Sequence, residues 1–325
     1  MSSSIPKLKF HQLNIIEAHE KLIRSMAIFP SYNIITVSGD QKIKIWVNNE
    51  TNFNILQIID NAHKDEIISV SIKNENNFAT CSKDKSIKTW IKENNKYKEN
   101  IIIKNAHNDW INKVIFCENE NIISSSDDKT IKIWEKIPYK KLYQILLIIS
   151  NYNTISTLSL IKNKNLFIAF GYEGTKIYNM NNFQLIYHIK DSKCYNTNGI
   201  CILDEDRIIV GCDDENNIKI ISLSLKKSIF NIKFQIMCCG ICCLKKKGVF
   251  LIAGFSNNIN VYRNDNYECV FNFIGNENLI SFGLFNFNEN IIISLSYRCF
   301  ILYSLDVDDY ILNKKCTDIN KESYI

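Results

Sequence analysis

Three stretches of the chain nearly repeat one another: SGDQKIKIW (38–46), SKDKSIKTW (82–90) and SDDKTIKIW (126–134). Their tryptophans, Trp46, Trp90 and Trp134, stand 44 residues apart, and His19, His63 and His107, each preceded by Ala, lie 27 residues before them. Shared motif, period and offset mark one structural unit copied along the chain. Carrying the period onward reaches Tyr178, Ile221, Tyr262 and Tyr303, in steps of 44, 43, 41 and 41, so the chain reads as seven units.

The unit is all-β. Twenty residues before each anchor stand Met26, Val70, Val114, Leu158, Cys201, Cys242 and Gly283, and two residues further on every unit is again apolar. A period-2 apolar pair at a fixed offset is one strand recurring with the same face buried. In the third unit the pattern predicts four strands, over residues 110–117, 121–126, 130–134 and 141–148, linked by turn-forming ENEN and SDDK. Seven such units need a closing strand, because the last unit ends near Ser304, one strand short. LKFHQL (residues 8–13) is strand-like, precedes the first unit, and is predicted to pair beside residues 300–304. The predicted organisation is one domain over residues 1–306, closed by residues 8–13, and a tail over 307–325.

Composition narrows the function. The 325 residues are 46% hydrophobic and 22% charged, the values of a chain that folds around a core. A net charge of +5, with lysines alternating among Glu, Asp and Asn, lacks the concentrated basic face that nucleic-acid binding requires, so no nucleic-acid partner is expected. MSSSIPKLKF has no apolar signal core, and YQILLIIS (143–150) is too short to cross a bilayer. The expectation is a cytoplasmic chain without membrane insertion, whose twelve cysteines are reduced.

Four of those cysteines fall in MCCGICC (237–243), with a Cys-x-x-Cys at Cys239 and Cys242. Aligning the units sets GICIL (199–203) against GICCL (240–244), which makes this the inner strand of the sixth unit, with Cys242 in the slot of Val70 and Val114. Strand alternation then puts Cys239 and Cys242 on opposite faces. It leaves Cys238 and Cys242 on one face but about 13 Å apart. The expectation is buried thiols, with no metal and no cofactor. The rival reading is a metal- or thiol-dependent enzyme built on Cys238, Cys239, Cys242 and Cys243.

Four strands per unit, a period near 44 and the His…Asp…Trp pattern resemble the WD40-repeat family, strongly over three units and by periodicity over roughly residues 8–305. The resemblance implies a seven-bladed β-propeller of four-stranded antiparallel blades. It also implies that His19, Thr36, Asp40 and Trp46, then His63, Thr80, Asp84 and Trp90, then His107, Ser124, Asp128 and Trp134, form buried hydrogen-bonded chains. Ser or Thr with His and Asp could be read as a nucleophilic triad, but an enzyme needs one such site and not three copies. The pattern departs from the family where Ala-His replaces Gly-His, where no Trp is followed by Asp, and in the later units. There Tyr172, Glu215, Ser256 and Tyr297 occupy the Asp position, and Ile168, Gly211, Ile252 and Ile293 the hydroxyl position. Those blades are expected to be held by packing.

The sequence contains no phosphate-binding Gly-rich loop and no His-Glu-x-x-His. It also lacks the Phe-Arg-Arg-Gly and Trp-Asp-x-Arg signatures of phosphoinositide-binding and ubiquitin-ligase propellers. The resemblance therefore implies a non-catalytic scaffold or adaptor for proteins or peptides within a multiprotein complex. A structural subunit of a large ribosomal or cytoskeletal assembly is the alternative. The first three blades, with charged links such as KENNKYKEN (92–100), loosely resemble the small single-domain propellers that serve as adaptors in cytosolic iron–sulfur assembly, a likeness that fails in the last four blades. The family's top face would carry Trp110, the tryptophan that anchors no unit, with Asp65, Lys83, Asp109, Asp127 and Phe255 around it. This patch is read as taking a peptide that bears Lys or Arg.

Overall fold

Every unit of the repeat folds as a four-stranded antiparallel sheet, and seven such sheets form a ring. The computed structural model describes residues 9–49, 52–190, 200–212, 217–233, 238–254, 258–274, 283–288 and 290–306. Phe255 and residues 307–325 lie outside them.

Blade two shows the common plan, with strands Ile67–Asn74, Asn77–Ser82, Ile87–Glu93 and Lys96–Ile103 running from the centre outward. The second strands, such as Ile34–Ser38, are buried along their whole length because a neighbouring blade covers each face. Their β-branched residues suit a pleated surface of that kind. Outer strands such as Tyr143–Ser150 bury few residues and leave Ile145, Leu146 and Ile148 nearly half exposed on the rim.

The core is a set of joints between adjacent blades. Phe29, Val37 and Ile45 of blade one pack against Val70, Phe78 and Trp90 of blade two. Each fully buried apolar side chain of this size contributes about 1.5–3 kcal/mol. The anchor side chain stacks on an aromatic of the second strand: Trp90 on Phe78 at 5.8 Å, Tyr178 on Phe167 at 4.7 Å and Tyr262 on Phe250 at 5.3 Å. Tyrosine thus performs the packing role of tryptophan in later blades.

Closure follows the sequence expectation and extends it. Lys9–Glu17 pairs antiparallel with Cys299–Asp306, from Lys9 opposite Asp306 to Glu17 opposite Cys299. Leu8 lies outside the described residues. Leu13 sits at the register shift between Gln12 and Asn14, 40% exposed on the rim. At the same joint Trp46 meets Phe300 edge-on at 5.3 Å.

One feature of the inner strands corrects the sequence reading. A β-bulge interrupts them near their start in blades one, two, three, four and six, between Ile23/Ser25, Ile67/Ser69, Ile111/Lys113, Ile155/Thr157 and Cys238/Gly240. The extra residue reverses the alternation downstream. Cys238 and Cys242 therefore do not share a face. Cys238 and Cys243 pack toward blade five with Leu203 and Phe250, whereas Cys242 packs toward blade seven with Leu284 and Ile301. Cys242 is therefore not in the slot of Val70 and Val114, which pack toward the preceding blade: the turn after it is one residue longer than in blade two, so it takes the place of Ser71. All three are buried, as expected. The side chain of Cys239 lies outside what the structure describes. Among the described residues no helix is long and apolar enough to cross a membrane.

Candidate partner-binding site on the top face

The chain enters every inner strand at the same end of the ring as the turn between second and third strands, and this end is the top face. The two segments are tied by backbone hydrogen bonds, including Gly39 N–H to Leu22 O, Lys83 N–H to Glu66 O and Asp127 N–H to Trp110 O, each at 3.0 Å.

Three buried networks support this face. In blade two the Trp90 indole N–H donates to the Thr80 hydroxyl oxygen at 2.9 Å, the Thr80 hydroxyl donates to His63 Nε2 at 2.8 Å, and His63 Nδ1–H donates to Asp84 Oδ2 at 3.0 Å. The indole can only donate and the carboxylate can only accept, so the network assigns a neutral imidazole with its proton on Nδ1. Blade one repeats it through Trp46, Thr36, His19 and Asp40, and blade three through Trp134, Ser124, His107 and Asp128. Each Asp also caps the next loop, accepting from the backbone N–H of Glu20, Lys64 or Asn108.

Burial alone would raise the Asp40 carboxyl. The hydrogen bond from His19 and the N–H groups of Lys42 and Glu20 outweigh it and lower the carboxyl to about 2. Asp84 is held well below the usual carboxylate range by His63, Ser86 and the Lys64 N–H, again against its burial. Burial lowers His107 to about 4, and lowers His63 as well, because the charged imidazolium is disfavoured there. Asp84→Ala is expected to cost about 1–3 kcal/mol, since it leaves the His63, Ser86 and Lys64 donors without their acceptor. An unchanged urea-unfolding midpoint would contradict that.

Blade four corrects the expectation that later blades rest on packing alone. Asn151 stands in the His slot and Glu173 one position past the Asp slot, and Lys176 Nζ donates to both at 2.6 Å. Glu173 also accepts from the Asn153 N–H at 2.8 Å. The hairpin there is tighter, with Gly171 opposite Gly174. Gly174 has a φ of 105°, and a Cβ on it would stand 2.2 Å from Ile189 O, so only glycine fits. Among the other Asp-slot residues, Glu215 and Ser256 lie outside the described residues.

Of the predicted partner-binding residues, Trp110, Asp109, Asp65, Lys83 and Asp127 all lie on the top face, around the joint of blades two and three. Trp110 is 45% exposed. Lys83 reaches across the joint and sets its ammonium 4.3 Å from the centre of the indole, a cation–π contact. The carboxylates of Asp65, Asp109 and Asp127 each use one oxygen locally, on Glu66 N–H, Trp110 N–H and Asn112 Nδ2. Their second oxygens accept no hydrogen bond among the described residues.

Sequence reasoning missed two parts of this face. Glu66 accepts from Arg24 Nη2 at 2.5 Å and lies 3.2 Å from Lys83 Nζ, so an Arg24–Glu66–Lys83–Trp110 chain spans three blades. Burial would raise the Glu66 carboxyl, but these two cations lower it overall. Arg24 is the bulged residue of its strand, and no hydrophobic period marks a bulge. The second part is a set of exposed tyrosines in the top loops of later blades: Tyr152 at 88%, Tyr297 at 53% and Tyr172 at 37%. A scan of Asp-slot residues meets Tyr172 and Tyr297 only as failures of the network.

Among the described residues no group of three or more His, Cys, Asp or Glu could hold a metal ion. The family model described as WD domain, G-beta repeat matches residues 10–47, 54–90 and 99–135, which are the blades with the buried networks. No curated protein matches the chain.

Proposed function

We propose that this chain, a seven-bladed β-propeller of the WD40-repeat family, works as a non-catalytic adaptor that holds a basic peptide segment of a partner protein on its top face. Propellers of this family are generally protein-interaction scaffolds and typically not enzymes. The reading rests on one observation above all: Trp110 is exposed at the joint of blades two and three, where the loops of blades one to three are fixed by three buried networks. A rigid aromatic pays little entropy on binding, and the three carboxylates around it complement Lys or Arg.

Trp110→Ala is expected to weaken a partner captured by the wild-type chain by at least tenfold in Kd, while Tyr139→Ala leaves it unchanged. Tyr139 is fully exposed in a loop at the opposite end of the ring, so it controls for nonspecific aromatic contacts. Equal losses from both substitutions would remove the top face from the reading.

The rim supports a second reading, a fixed subunit of a larger assembly. Ile55, Leu56 and Ile58 of blade one and Ile145, Leu146 and Ile148 of blade three each expose more than four-tenths of their surface on outer strands. Apolar rims of this kind are covered by neighbours more readily than by water. Sedimentation of the purified chain separates the two readings: a stable monomer favours the adaptor.

A further inference from the structure

We propose that Cys201 and Cys243 form a redox modification site, at which a peroxide converts the two thiols into a disulfide that joins blade five covalently to blade six. The two inner strands, Ile200–Ile202 and Cys238–Leu244, meet at the centre of the ring. Their sulfurs stand 2.9 Å apart. A disulfide has its sulfurs about 2.05 Å apart, so bond formation needs a movement of under about 1 Å.

The geometry is particular to this joint. The matching pairs at earlier joints are Ala27 with Ile72, Ser71 with Phe116, Ile115 with Leu160 and Ser159 with Ile202, none of which brings two thiols together. Cys242, next in sequence to Cys243, faces the opposite joint. The pairing of Cys243 with Phe250 therefore decides which cysteine of the cluster meets Cys201.

A small oxidant can reach the pair. Cys201 is partly exposed, and both cysteines line a cavity of about 460 Å³ together with Lys113 and Lys245. The sulfurs also differ in character. The Cys243 thiol can hydrogen-bond to a Cys201 thiolate, which lowers Cys201 against its own burial, with help from the Lys245 charge. Cys243 is raised correspondingly. Cys201 is thus the attacking sulfur and Cys243 the resolving one. The Cys201 thiolate attacks one oxygen of hydrogen peroxide, breaking the O–O bond and forming a sulfenic acid with release of hydroxide. Cys243 sulfur then attacks the sulfenic sulfur and displaces its oxygen as a second hydroxide. With the two thiol protons counted, two thiols and one peroxide give one disulfide and two waters.

The test uses the whole reduced chain, freed of reductant and treated with an equimolar amount of hydrogen peroxide. The expected product has lost two hydrogens in intact mass and yields, without reduction, a peptide pair linking Cys201 to Cys243. Its unfolding midpoint rises by several degrees, and dithiothreitol reverses both changes. Cys243→Ser is expected to stop at a sulfenic acid on Cys201 that dimedone traps, and Cys242→Ser to form the bond as the wild type does. The proposal is overturned by a wild-type chain that gains oxygen without losing hydrogen, or by a link through any other cysteine. It is equally overturned if Cys242→Ser, folded by its circular dichroism, forms no bond.

Discussion

A chain lacking residues 1–17 is expected to yield no soluble monomer. The deletion removes the strand Lys9–Glu17 and with it the register from Lys9 opposite Asp306 to Glu17 opposite Cys299. It exposes the edge of the Cys299–Asp306 strand, rich in Phe300, Ile301, Leu302 and Tyr303, and an exposed apolar edge of that length pairs with other chains. The loss also opens the joint at which Trp46, Phe53 and Phe300 pack, because blade seven would keep three of its four strands. A folded domain is stable by only about 5–15 kcal/mol, and the loss of one strand and one joint is of that order. Size-exclusion chromatography of the truncated chain checks this, and a monomer with native circular dichroism would show that the ring does not depend on its closing strand.

Stability is expected to fall as pH drops from about 6.5 toward 4, a window set by His107 and His63 and not by carboxylates. His107 is lowered in the folded chain to about 4, whereas in the unfolded chain it titrates near the ordinary 6.5. Between those values the unfolded chain binds the proton and the folded chain does not, so stability decreases as pH falls. The contribution is fully present above about 6.5, and from this residue the loss is about 2 kcal/mol by pH 5. His63 is shifted in the same direction and adds to it. The physical cause is burial, which disfavours the charged imidazolium more than the neighbouring Asp favours it. Asp40 adds a separate window, because its lowered carboxyl stabilises the fold above the usual carboxylate range and loses that contribution as pH falls through about 2. Urea midpoints at pH 7 and pH 5 decide the matter. Equal midpoints would mean that the imidazoles are not held neutral by burial.

The ring was legible because its signals are periodic. Trp46, Trp90 and Trp134 fix the unit, and Tyr178 and Tyr262 continue it because another flat ring fills the same stacking place. The networks were legible because each takes four residue types at fixed offsets. What could not be read was whatever breaks the period or crosses between units. The bulge at Cys239 takes Cys238 off the face of Cys242, and residue types alone do not announce an extra residue in a strand. The Glu173–Lys176–Asn151 group lies one position off the expected slot because its hairpin is tighter. Arg24 meets Glu66, and Lys83 meets Trp110, across joints whose closeness only the ring creates.

The pairing of Lys9 with Asp306 also sets a timetable. The closing strand is made nearly three hundred residues before its partner. At a synthesis rate of roughly 5–20 residues per second, Lys9–Glu17 waits on the order of 15–60 s without a partner. During that interval blades one to six can fold in order from local contacts, but the circle stays open, and its apolar leading strand is held by nothing. The most hazardous interval therefore precedes closure of the ring, and any factor that shields nascent strands would act on Lys9–Glu17.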